Sequence, residues 1–180
     1  AIYGPDNNIF DMETPMFLRL LRGLPILVPH GGLVAGSYGH VDDLCDTLVL
    51  MAEHPAAVGE VFNVTTDGAT SLRYVSVLAD VVGAAPRVVF VPDDVLAGLP
   101  RPVFGHLFGV RHHAVLSTEK ARTVLGAVPR YGLRDGHAQT FDWFRAQGWD
   151  GLSDALADPV WKASWDFAAE AALADRITGG

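Results

Sequence analysis

The chain has 180 residues, 49% of them hydrophobic, a mean hydropathy of +0.23 and a formal net charge of −8. That length and apolar content suit one domain, or one and a small appendage, with a filled core. The acidic balance argues against a nucleic-acid surface, the single cysteine Cys45 excludes an internal disulfide and points to a reducing compartment such as the cytoplasm, and no apolar run is long enough to span a bilayer.

The chain opens at Ala1-Ile2-Tyr3, which reads as the middle of a strand, and Tyr3-Gly4-Pro5-Asp6-Asn7-Asn8 is a turn-rich exit from it. Thr14-Pro15 predicts a helix start, with Met16, Phe17, Leu20 and Leu21 as the buried stripe and Gly23 as the left-handed C-cap. Pro25 to Pro29 reads as a short strand, His30-Gly31-Gly32 as a turn, and Leu33 to Tyr38 as a further strand. Asp42 is the expected N-cap of the next helix, whose apolar face carries Leu44, Leu48, Met51 and Ala52 and which Pro55 ends. Gly59 restarts the chain into an expected strand, Val61-Phe62-Asn63-Val64-Thr65. Strand, helix and strand in that order extend a parallel sheet. Ser71 is the expected cap of a helix ended by Gly83, Arg87 to Val91 reads as a strand, and Asp93 or Asp94 opens a short helix. Residues 99–113 are irregular and rich in aromatic and histidine residues. Ser117 predicts a helix to Leu125, and an amphipathic helix runs from about Leu133 to Gln147, stopped by Gly148. Asp158-Pro159 predicts a last helix with Trp161, Trp165, Ala168 and Ala172 on one face.

Several pieces come in a fixed order: Tyr3-Gly4-Pro5, Gly39-His40-Val41-Asp42-Asp43, Gly59-Glu60-Val61-Phe62-Asn63-Val64, Ser117-Thr118-Glu119-Lys120-Ala121 and Leu125-Gly126. Together they resemble the C-terminal half of the extended short-chain dehydrogenase/reductases, the NAD-dependent epimerase/dehydratase superfamily. Within it they are most similar to an atypical branch that includes the chloroplast stem-loop RNA-binding proteins. The resemblance runs from Tyr3 to about Gly148. It implies an α/β fold: the last strands of a doubly wound, Rossmann-like parallel sheet plus a smaller, mostly helical substrate-binding lobe. Residues 1–150 would be that C-terminal part and residues 151–180 a helical extension.

The superfamily's glycine-rich phosphate loop is absent, and none of Tyr3, Tyr38, Tyr74 and Tyr131 is followed four positions on by lysine. The expectation is therefore the second half of a larger protein: a fragment, a processed chain or one subunit of a split enzyme. By resemblance the complete protein is an NAD(P)-dependent epimerase, dehydratase or reductase acting on a hydroxyl-bearing, sugar-like substrate, with NAD or NADP bound mainly by the other half. Its partners would be that complementary half or a second copy, with no nucleic acid and no membrane. The rival expectation is a non-catalytic, epimerase-like binding protein.

In the first reading the substrate pocket is shaped by Tyr3, Asn7, Ile26, Val28, His40, Arg111 and His113. Arg111 suits an anion, because a guanidinium fork matches phosphate. Ser37 stands where sugar-nucleotide enzymes commonly carry an arginine. Asp42 and Asp43 read as a helix cap and a solvent-facing neighbour rather than an acid/base pair. His106, His112 and His113 lack the carboxylate or cysteine that would complete a metal site. Cys45 reads as a buried small hydrophobe.

Overall fold

The computed structural model describes residues 1–7, 12–99, 108, 111–149 and 165–179. Among the described residues, five short strands form two sheets. The first sheet has the order β1 (Ile2–Tyr3), β3 (Ala35–His40), β4 (Asp67–Thr70), with β1 parallel and β4 antiparallel to β3. The second pairs β2 (Pro25–Pro29) with β5 (Arg87–Val91) in parallel, from Pro25 opposite Arg87 to Pro29 opposite Val91. The class is α/β, as the motifs imply.

Helices α1 (Glu13–Arg22), α3 (Ser71–Val82) and α5 (Leu133–Ala146) pack together, with α3 touching both of the others, and the short α4 (Asp93–Leu96) follows β5. The last helix, α6 (Phe167–Thr178), lies on β2 and β5. Between these layers Phe17, Leu27, Val28, Tyr74, Leu78, Val89, Phe144 and Leu173 form one core. Helix α2 (Val41–Glu53) packs on β1, β3 and the 121–125 turn, where Leu50 and Met51 border a small second cluster of Ala57, Ala121, Leu125 and Ala127. Only Asp43 and Thr47 are buried on it, while Leu48 and Val49 are about half exposed and the following Val58 and Val61 more so. Cys45, on the same helix, is exposed and not the expected buried hydrophobe, because no described neighbour covers that face.

Several helix starts differ from the expected ones. α1 begins at Glu13, with Met12 at the cap position, so Thr14 and Pro15 lie inside the first turn. The cap of α2 is His40, whose Nδ1 accepts the Asp42 N–H at 3.2 Å; Asp42 lies in the first turn, where its charge complements the helix dipole. Thr70, not Ser71, caps α3 by accepting the Arg73 N–H. Gly23 and Gly83 do close α1 and α3 in the left-handed conformation. Ser117 Oγ accepts the Glu119 N–H, and the helix it opens widens into a π-helical turn over Ala121–Leu125.

The expected strand at 59–65 is replaced by an extended segment without strand pairing among the described residues. Chain pairing resumes at Asp67–Thr70, and it is antiparallel. The expected last helix is present from Phe167; Asp158, Pro159 and Trp161 lie outside the described residues, while Trp165 is buried. No helix among the described residues is long and apolar enough to cross a membrane.

Candidate functional site

β1 and β3 run parallel, with Tyr3 opposite His40, and both strands end there. The two side chains thus stand together at the carboxyl ends of adjacent parallel strands, where open α/β sheets present their ligand-binding groups. Both are fully buried. The Tyr3 ring meets His40 edge-on at 5.4 Å and stacks on His137 of α5 at 3.9 Å. Tyr131 lies against His40 at 4.1 Å.

The His137 tautomer follows from its neighbours. Nδ1 is 2.7 Å from the Leu133 carbonyl, which can only accept, so Nδ1 carries the proton. Nε2, 2.9 Å from the Tyr74 hydroxyl, then accepts the phenolic hydrogen. Burial pushes the His137 imidazole down to about 4 and holds the phenols of Tyr3 and Tyr74 above their ordinary range. These rings are an uncharged scaffold at neutral pH. Burial also lowers His40, against the opposing carboxylates of Asp42 and Asp43.

Gly136 makes the ring cluster possible. A methyl group there would overlap the Tyr3 hydroxyl and come within 2.9 Å of His40 Cδ2. Gly136→Ala is expected to lower stability by about 1–3 kcal/mol through overpacking, although alanine is the better helix former. A lower urea midpoint at unchanged slope would show it; an unchanged midpoint would mean that the rings give way freely.

Asn7 follows β1 and is half-buried. Its Nδ2 donates to both carboxylate oxygens of Glu13, at 3.0 and 3.4 Å. Glu13 is buried, and burial pushes its carboxyl up to about 7 against the pull of its own N–H, Asn7 and the Gly4 N–H. Asp43, also buried, accepts the backbone N–H groups of Arg130 and Tyr131 at 2.8 and 3.2 Å. It is Asp42 that faces solvent, so these two carboxylates do different work.

The other expected site residues lie elsewhere. Ile26 and Val28 are buried in β2, which has β5 on one edge and no strand on the other among the described residues. Only the backbone of that open edge is left to meet a ligand. Arg111 is exposed and has no partner among the described residues. His113 Nδ1 accepts the Ala35 N–H at 3.1 Å, Ala114 N–H donates to the Ala35 carbonyl, and Ser37 Oγ accepts the Leu116 N–H. The segment 113–116 is thereby laid along β3, with Arg111 just before it. Among the described residues no group of three histidine, cysteine or acidic side chains could hold a metal, and His106 lies outside them.

Sequence reasoning missed Glu13, Tyr74, Gly136 and His137. His137 did leave a trace, a polar residue on the same helical face as Leu133, Phe141 and Phe144. Glu13 left none, because the adjacent Thr14-Pro15 reads as the helix boundary.

No family model matches the chain. It is 30% identical to a ceramide reductase of Caulobacter vibrioides over 165 residues, which is 83% of this chain and 50% of the relative. It is 35% identical to a UDP-glucose 4-epimerase of Mycolicibacterium smegmatis over 148 residues, 80% of this chain and 43% of that one. The structure of Bacillus cereus UDP-glucuronic acid 4-epimerase, in complex with UDP-glucuronic acid and NAD, superposes with a TM-score of 0.65 at 21% identity, over 82% of this chain and 43% of that one. The chain belongs to the NAD-dependent epimerase/dehydratase superfamily. It spans about half the length of the superfamily members it matches.

Among the described residues, the turn just after β1 offers no open cradle for the superfamily's dinucleotide. The space left by the missing Cβ of Gly4 is filled by Val41, not open to a phosphate. The helix that follows begins with the acidic Glu13, which would repel one.

Proposed function

We propose that the chain is the substrate-binding half of an NAD(P)-dependent epimerase, dehydratase or reductase acting on a hydroxyl-bearing, sugar-like substrate. The observation that carries this reading is the pairing of Tyr3 with His40 at the carboxyl ends of parallel β1 and β3, with Asn7 on the turn beyond. The relatives, acting on ceramide or on a nucleotide sugar by name, support the same class of reaction. Residues 1–150 form the C-terminal part of the enzyme with its substrate lobe, and 151–180 a helical extension. The protein works in the cytoplasm.

Each site residue has a role in this reading. Tyr3 and His40, being buried, set the floor of the pocket and do not touch the substrate by their ring edges. Asn7 presents its amide to the substrate. Ile26 and Val28 contribute backbone along the open edge of β2. Arg111 holds an anionic group, with His113 fixing the start of the segment along β3. The nicotinamide cofactor supplies the redox chemistry and is held by a complementary half, which also covers Leu48, Val49, Val58 and Val61.

Two measurements test this. The 180-residue chain by itself is expected to show no micromolar NAD(P) binding by calorimetry, since the backbone donors of a phosphate loop are not in it; a one-to-one micromolar complex would overturn the division of labour. In the complete enzyme Arg111→Ala is expected to lower kcat/KM by the equivalent of about 1.5–3 kcal/mol, the cost of a charge-assisted contact. Unchanged kinetics would return Arg111 to an ordinary surface position.

A further inference from the structure

A hollow of about 350 Å³ lies between β4, α3 and the start of α5, and Asp67, Arg73, Arg134 and Asp135 all border it without pairing with one another. The two acidic groups are accounted for. Asp67 Oδ2 accepts the Leu133 N–H at 2.7 Å and so ties β4 to α5. Asp135 lies in the first turn of α5, where a negative charge suits the helix dipole. The two arginines are not. Arg73 stands in the first turn of α3 and Arg134 in the first turn of α5, at helix ends where a cation is disfavoured. Both are exposed, and neither guanidinium has an ion pair or hydrogen bond among the described residues. The Arg134 and Asp135 N–H groups also lack an acceptor there, since Gly132 at the cap position has no side chain to supply one.

We propose that this hollow binds a phosphate-bearing small molecule, with Arg73 and Arg134 on its phosphate group. Two guanidinium groups from separate helices give such an anion charge-assisted donors that its several oxygens can share. A phosphate dianion would also relieve the cost that each cation now carries at its helix end, and a carboxylate, with one charge and two oxygens, would do so less well. The hollow is larger than a bare ion needs and of the size of small-molecule pockets, so room remains beside Ala69 and Val77 for the rest of the ligand. The Asp67 and Asp135 carboxylates repel a second anionic group and can accept hydrogens from hydroxyl or amino groups. None of the residues given a substrate role above lines the hollow, so the proposal does not depend on that reading.

The test is an NMR titration of the whole labelled chain with inorganic phosphate, at ionic strength held constant with sodium chloride. Saturable shifts are expected at the amides of 67–69, 73 and 132–135. Arg73→Gln and Arg134→Gln are each expected to raise the phosphate dissociation constant about tenfold or more, the loss of one charge-assisted contact. Both side chains are exposed, so the variants should fold, and without phosphate their melting temperatures should equal or exceed that of the unaltered chain. Phosphate should then raise the melting temperature of the unaltered chain more than that of either variant. No saturable shift at those amides, or equal affinity in the variants, would overturn the proposal. Acetate that binds as tightly as phosphate would overturn the assignment to phosphate.

Discussion

Arg19→Ala is expected to destabilise the fold by about 3–5 kcal/mol, the effect of stranding one member of a buried ion pair. Arg19 on α1 donates through Nε and Nη2 to the two oxygens of Glu170 on α6, at 2.8 and 2.7 Å, and both side chains are almost wholly buried. The guanidinium also lies over the Phe167 ring at 5.0 Å. Burial already raises the Glu170 carboxyl, and without Arg19 it would be protonated still more readily. The defect should therefore be smaller at pH 5 than at pH 8. Replacing both partners together, Arg19→Met with Glu170→Leu, is expected to recover most of the loss, because no charge then remains inside. Urea melts of the three variants check this, and a loss under about 1 kcal/mol for Arg19→Ala would mean that α6 does not depend on the pair.

The stability of the chain is expected to be nearly level between about pH 4.5 and 6.5, because two buried groups tilt it in opposite directions. Glu13 goes from an ordinary 4.5 to about 7 on folding, so within that interval the folded state holds a proton that the unfolded state has lost. Its contribution is present below 4.5 and is lost as pH rises through 7. His137 goes from 6.5 to about 4, so there the unfolded state holds the extra proton. Its contribution is complete above 6.5 and is lost as pH falls through 4. Each slope is about 1.4 kcal/mol per pH unit and the signs cancel. Burial of Glu170 adds to the first sense and burial of His40 to the second. Removing one member exposes the other: Glu13→Gln should become more stable from pH 4.5 to 6.5 by roughly 3 kcal/mol, and His137→Phe should lose a similar amount over the same rise. Denaturant midpoints at half-unit pH steps would show the two opposite tilts; parallel curves for all three proteins would sink the argument.

Much of the fold is legible in local chemistry. Gly23 and Gly83 close their helices because a left-handed residue is needed there. Pro25–Pro29 and Arg87–Val91 are strands because each is a short apolar run with clear ends. What failed depended on neighbours. Residues 61–65 are β-branched and aromatic like a strand, but no described strand lies beside them. Cys45 sits among apolar positions, yet packing reaches only the face of Asp43 and Thr47. His40 is not among the usual capping residues, and its ring nitrogen serves only because the strand delivers it to the first turn of α2. The site was half legible. The ordered motifs pointed to Tyr3 and His40, but the stack of Tyr3 on His137 and the bond from Tyr74 join distant parts of the chain, and no spacing rule announces them.

The Arg19–Glu170 pair joins residues 151 positions apart. Closing a loop of that size brings its entropy cost before the contact gives anything back, so contacts of this kind slow folding. During synthesis α1 and β2 leave the ribosome long before the helix that covers them. Until Glu170 arrives, Arg19 stays in water and the apolar residues of β2 lack their lid. The chain therefore finishes folding only near its end, and a nascent product truncated before Phe167 would be the species most in need of a chaperone.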